Sequence, residues 1–296
     1  MSSISEASIT DVSWKDYYHL CKPRVVAVLL LTALVGMCLA DSRLPNPLQL
    51  FVALLGIGLC ASSAAAFNHV LDRRFDVMMA RTRHRPLPTG HLRPSQAIAF
   101  ACIIGVIGFL VLFEWVNPLT AYLTLASLLG YAVIYTAFLK RATPQNITIG
   151  GLAGAMPPLL GWVAVTGEIE PNSLLLVLII FAWTPPHFWA LAIHKRKEYA
   201  LAGVPMLPVT HGVAFTRLQI LLYTLLLILT TALPFVTGMS GIVYLLGVAA
   251  LNLRMLMFAL QLYNEDESIP IKMFWYSIRY IMWLFALLLV DHYLSW

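Results

Sequence analysis

Apolar residues fall into nine long runs separated by short polar stretches. A helix crossing a hydrocarbon core of ~30 Å needs about 20 mostly apolar residues. Runs near 24–41, 48–68, 96–115, 118–138, 147–165, 173–193, 215–236, 240–262 and 273–291 approach that length. Pro45-Asn46-Pro47, Asn117-Pro118, the segment from Gly167 to Asn172, and Gly238 punctuate the connections. The alternating strands of about ten residues that build a membrane barrel do not appear. The pattern predicts an all-α, polytopic membrane protein with about nine transmembrane helices, one domain over residues 1–296.

Composition narrows the classes. Of 296 residues, 60% are hydrophobic and 11% charged, whereas soluble domains carry about 25% charged residues. Too little polar surface remains for a water-soluble enzyme, a disordered chain or a nucleic-acid binder with a broad basic face. Cys21, Cys38, Cys60 and Cys102 form no CxxC pair and read as small buried hydrophobes. Residues 1–22 form a polar N-terminal stretch without a basic n-region and apolar core, so the first run is expected to be a retained span.

The charge of +5 is unevenly placed. Lys15, Lys22 and Arg24, the arginines from Arg73 to Arg93, Lys140 and Arg141, Lys195 to Lys197, and Lys272 all fall on one side of a nine-span chain. The positive-inside rule makes that side cytoplasmic, with the C-terminus outside. Two loops on this side, 69–95 and 194–214, each carry closely spaced prolines. Their recurrence in the same sense suggests a parallel internal duplication.

The first loop region holds the sharpest motif. Asn68, Asp72 and Asp76 stand at i, i+4 and i+8, so on a continuing helix they share one face. Stacked oxygen ligands suit Mg²⁺, which keeps several waters and takes one or two carboxylates plus substrate phosphates. Arg73, Arg74, Arg81, Arg83 and Arg85 follow, and guanidinium forks match phosphate oxygens. The bland alternative is a solvated helix end with local ion pairs; the added Asn and the arginines favour metal–diphosphate binding. Arg81 and Arg85 are the expected ligand contacts. Lys140 is set either for a diphosphate or for topology alone. In the second region, His187, His194 and Glu198 lie at i, i+7 and i+11, within about 40° on a continuous helix.

These stretches resemble the UbiA superfamily of intramembrane prenyltransferases. The likeness rests on Asn68–Asp72–Asp76, on Tyr135 to Arg141, on Lys22-Pro23-Arg24, and on Thr184 to Pro208. It is closest to the branch that farnesylates haem, because His187, His194 and Glu198 stand where most members carry aspartates. The resemblance implies a central cavity open to the cytoplasmic side. It implies Mg²⁺ held by Asn68, Asp72 and Asp76, and farnesyl diphosphate and haem b as substrates. It implies catalytic roles for Asp72, Asp76, His187, His194 and Lys140. Substrate contacts are expected at Arg73, Arg81, Arg85, Tyr135, Arg141, Lys195 and Glu198. The chain is expected in a bacterial inner membrane, with a haem A synthase or a terminal oxidase downstream and no nucleic-acid partner. Rival readings are a prenyltransferase of quinone precursors, a secondary transporter of an anion, and a non-catalytic haem-binding subunit. The polar groups gather at span ends rather than mid-span, which disfavours the transporter.

Overall fold

The computed structural model describes residues 12–79, 82–264 and 268–294. Their regular structure is all helical, with no strand among the described residues. The chain runs through α1 (Trp14–Leu20), α2 (Pro23–Leu39), α3 (Pro47–Asp76), α4 (Pro94–Trp115) and α5 (Pro118–Leu129). It continues in a π-helix, π1 (Gly130–Leu139), then α6 (Lys140–Ala142), α7 (Asn146–Ala155), α8 (Pro157–Thr166) and α9 (Pro171–His194). It ends with α10 (Arg196–Leu201), α11 (Leu207–Thr210), α12 (Gly212–Val236), α13 (Ile242–Tyr263) and α14 (Ile269–Leu294). Among the described residues eight helical stretches are long and apolar enough to cross a membrane, or nine with α1 and α2, which meet at a 50° bend. This is a multi-pass membrane protein.

The expected punctuation is where the helices start. Proline opens α2, α3, α4, α5, α8 and α9, where its missing N–H costs nothing. The Asn46 and Asn117 side chains accept from the backbone N–H of Leu48 and Thr120, each at 2.8 Å. Two boundaries differ from the pattern. α3 runs on through Asp76, so the loop expected from residue 69 begins at Val77. The 194–214 connection carries two short helices, α10 and α11.

Glycines let spans approach closely, as small residues do in lipid. A Cβ at Gly36 would strike the carbonyl of Pro158, and one at Gly161 that of Ala33, so α2 and α8 touch backbone to backbone. The largest buried apolar cluster joins α9, α12, α13 and α14. It also encloses a polar chain: Tyr280 donates to Asn252 Oδ1 at 2.6 Å, and Asn252 donates to Thr231 Oγ1 at 2.9 Å. At the end of the bundle away from Asp72, a cavity of about 500 Å³ is lined by Asp41, Trp162, Glu170, Ser240 and Asp291.

Candidate active site

The constellation is built on the last two turns of α3. Asn68, Asp72 and Asp76 are all buried and lie one above another on one face. Asn68 Nδ2 donates to Asp72 Oδ2 at 2.9 Å. The α5–π1–α6 span runs alongside in the same direction and in register: Thr136 meets Asn68, and four residues on, Lys140 meets Asp72. Asn68 Nδ2 reaches Thr136 Oγ1 at 3.2 Å, and Lys140 Nζ lies 2.5 Å from Asp72 Oδ2. The π-helix carries this ladder. Thr136 Oγ1 donates to the carbonyl of Tyr131, five residues back, at 2.9 Å, and π-helical turns are frequent at functional sites.

Three more cations close the ring. Arg141 reaches Asp72 Oδ1 at 3.3 Å and the Leu71 carbonyl at 3.1 Å. Its guanidinium lies over the Phe75 ring, 3.9 Å from the centroid. Arg85 is 2.7 Å from Asp76 Oδ2. The loop that brings it back is anchored by Leu87 and Leu92, buried with Leu20 and Val70, and by the Thr82 hydroxyl, 2.9 Å from the Asp76 carbonyl. Lys22 donates to Asn68 Oδ1 from the α1–α2 bend. Its backbone is left-handed (φ 48°, ψ 58°), a conformation that costs an ordinary residue roughly 1–2 kcal/mol and is held here directly before Pro23.

The set therefore has two carboxylates and one amide oxygen with four cations on them. No three of His, Cys, Asp and Glu converge as a metal-binding group among the described residues. The donor chemistry fits an ion that completes its shell with water and phosphate oxygens. The ammonium groups on Asn68 Oδ1 and Asp72 Oδ2 show that these atoms seat positive charge.

Other expected residues are placed differently. Arg73 turns back to its own helix, donating to the Val70 carbonyl at 2.7 Å. Arg81 lies outside the described residues. Tyr135 stacks toward Tyr131, with centroids 5.5 Å apart, and its ring lies against Gly150, where a Cβ would collide with it.

The second region keeps its expected face only along α9, which carries both His187 and His194. α9 ends at His194, and Lys195 (φ −102°, ψ 17°) breaks the helix before α10. His187 is buried while His194 is exposed, and Glu198 pairs with Lys195 at 2.7 Å. His187 lies between two rings, Trp183 with centroids 4.3 Å apart at 17° and Phe274 at 4.6 Å and 23°. Its Nδ1 is 2.7 Å from Ser277 Oγ. His69, expected to be a loop residue, is in α3, buried with neither ring nitrogen partnered among the described residues.

Lys22, Thr136 and Ser277 were not singled out by sequence reasoning. Lys22 stood in a resembling stretch without a role. Thr136 had a usable signal, since it precedes Lys140 by the same four residues that separate Asn68 from Asp72. Ser277 had none, because its partner is 90 residues away.

Comparisons with known proteins bear on the family and the fold. The UbiA prenyltransferase family profile matches residues 29–286. A protoheme IX farnesyltransferase of Shewanella denitrificans is 61% identical over 96% of this chain and 94% of its own. One of Idiomarina loihiensis is 58% identical over 99% and 100%. Among solved structures, a digeranylgeranylglyceryl phosphate synthase superposes with a TM-score of 0.80 at 17% identity, covering 94% of this chain and 98% of that one. A UbiA homolog from Archaeoglobus fulgidus bound to DMAPP and Mg²⁺ gives 0.64 at 14%, covering 92% and 99%. With most of its length matched by the family and its motif folded into one buried ladder, the chain belongs to the UbiA prenyltransferase family.

Proposed function

We propose that the protein transfers the farnesyl group of farnesyl diphosphate to a vinyl group of protohaem IX, with addition of water, giving haem O and diphosphate. The observation that carries this reading is the Asn68–Asp72–Asp76 ladder ringed by Lys22, Arg85, Lys140 and Arg141. The names of the relatives support the choice of acceptor.

In the reaction the C1–O bond of farnesyl diphosphate breaks, and its electrons leave with the diphosphate. The π electrons of the vinyl group attack C1 through the terminal carbon. Water captures the resulting cation beside the porphyrin and loses a proton. Asn68, Asp72 and Asp76 would hold Mg²⁺, which would supply charge neutralisation to the diphosphate. The chain's own cations do the rest. Lys22, Arg85, Lys140 and Arg141 are fixed before substrate arrives, so they stabilise the departing negative charge without reorganising. Arg73, on the same stretch of α3, adds positive potential near the diphosphate, and Tyr135 lines the wall of the site. Lys195, Glu198 and His194 form the rim at the end of α9, which meets the polar edge of the acceptor. His187 faces the porphyrin. The cavity opens to the cytoplasm, the N-terminus is cytoplasmic, and the protein sits in a bacterial inner membrane. Its product passes to a haem A synthase or a terminal oxidase.

The test is a reaction of detergent-purified protein with haem b and farnesyl diphosphate, with Mg²⁺ or with EDTA, followed by mass analysis of the extracted haem. A farnesyl-plus-water adduct that requires Mg²⁺ is expected. Prenylation of 4-hydroxybenzoate with no haem adduct would keep the fold and overturn the acceptor.

A further inference from the structure

We infer that Ser277 is a positioning residue that fixes the tautomer of His187, so that Nε2 offers a lone pair to the iron of the porphyrin substrate. The inference rests on protohaem being the acceptor and says how it is held.

The hydrogen-bond pattern leaves one arrangement. Ser277 has a single hydroxyl hydrogen, which goes to the Phe274 carbonyl at 2.7 Å. Its oxygen must then accept from His187, 2.7 Å away, so Nδ1 carries the proton. In a neutral imidazole the other nitrogen is then the acceptor. Nε2 has no partner among the described residues, and it is not among the fully enclosed polar atoms left without one. The ring plane is fixed as well as the proton. Trp183 and Phe274 stack on its two faces, Phe188 meets it edge-on at 4.8 Å, and Trp183 Nε1 donates to the Ser277 carbonyl at 2.8 Å. One turn of α14 thus holds both the imidazole and the indole that packs on it.

This is the arrangement of a ligating histidine: one nitrogen tied to a fixed outer partner, the other free, the ring unable to turn. Iron accepts a neutral imidazole readily, and the aromatic surroundings suit an apolar macrocycle.

The experiment uses the full-length protein in detergent, titrated with ferric haem b and separately with metal-free protoporphyrin IX. Absorption and electron paramagnetic resonance spectra are recorded, and metal-dependent farnesyl diphosphate binding serves as the check of fold. The parent is expected to show a histidine-ligated spectrum that His187→Ala abolishes. Ser277→Ala is expected to weaken haem binding about tenfold, in the range measured for outer partners of ligating histidines, and to broaden the ligand-field signal. Metal-free protoporphyrin should bind all three proteins alike. If haem binds and is converted but neither variant alters the spectrum, iron ligation by His187 is wrong while the farnesyl transfer stands. An equal loss of metal-free protoporphyrin would make the pair a packing element only. A parent that binds no haem and prenylates another acceptor overturns the functional reading together with this inference.

Discussion

The two candidate regions are made from opposite materials. At the end of α3, two buried carboxylates and an amide are matched by four cations from three other parts of the chain. Within α9, one histidine is held by stacked rings and a single hydroxyl. The first region is expensive to bury and needs every partner, since an uncompensated charge in a low-dielectric site costs several kcal/mol. The second is stabilised by aromatic area and fixes orientation rather than charge. The division suits the two substrates proposed above: one brings a highly charged leaving group, the other a flat apolar ring with a metal at its centre.

The largest effect that separates the regions should come from Asp72→Asn. The shape is kept, but Lys140 and Arg141 lose their counter-charge and the ladder loses a carboxylate. Turnover should fall by at least ~10²-fold, the scale of removing a preorganised electrostatic group, while the helical spectrum and haem binding persist. Near-normal turnover would remove α3 from the diphosphate. Next in size is Lys140→Met, with an expected loss of roughly 10- to 100-fold in kcat. Arg141 still faces Asp72, so the carboxylate remains paired and the loss reports the missing ammonium at the leaving group. Steady-state kinetics in both substrates checks it: the effect should fall on the farnesyl diphosphate side and leave the haem KM unchanged.

How much of this was legible depends on how far apart the partners lie. The spans follow from the length of apolar runs, and the Asn68–Asp72–Asp76 face from a spacing of four residues on one helix; a sequence displays both directly. The cations from Lys22 and Lys140 arrive across 46 and 68 residues, and nothing local announces which lysine of a basic side turns inward. The expected face of His187, His194 and Glu198 loses Glu198, which lies on α10, for a related reason. Periodicity holds only while the helix continues, and the break at Lys195 resets it. The prolines Pro185 and Pro186, which would argue for a break earlier, instead lie inside α9; in a membrane span neighbouring groups re-satisfy the freed backbone.

That break gives a sharper test of the second region. His187 is buried and clamped, whereas His194 is exposed at the helix end. His187→Ala should cost about tenfold more in kcat/KM for haem than His194→Ala, and only the former should change the haem spectrum. Equal losses would mean that the rim, rather than the clamp, orients the porphyrin.

The smallest effect tests whether burial of polar groups marks function at all in this molecule. Tyr280, Asn252 and Thr231 form a hydrogen-bonded chain as buried as the active-site ladder, linking α14, α13 and α12. It differs in two respects. Every member is neutral, and the links close on one another: Thr231 Oγ1 donates to the Ile228 carbonyl at 3.0 Å, and Tyr244 donates to the Thr231 carbonyl at 2.8 Å. Tyr280→Phe deletes the 2.6 Å bond to Asn252 Oδ1 while keeping the ring in its fully buried place. Interhelical hydrogen bonds in membranes average about 0.6 kcal/mol, so the cost should be of that order, read as a small drop in the temperature of detergent inactivation. Turnover and both substrate affinities should stay within about twofold, since 0.6 kcal/mol corresponds to less than a threefold change in an equilibrium. A loss as large as that of Lys140→Met would show that the α12–α14 network transmits to the site, and that charge alone does not separate its functional polar groups from its structural ones.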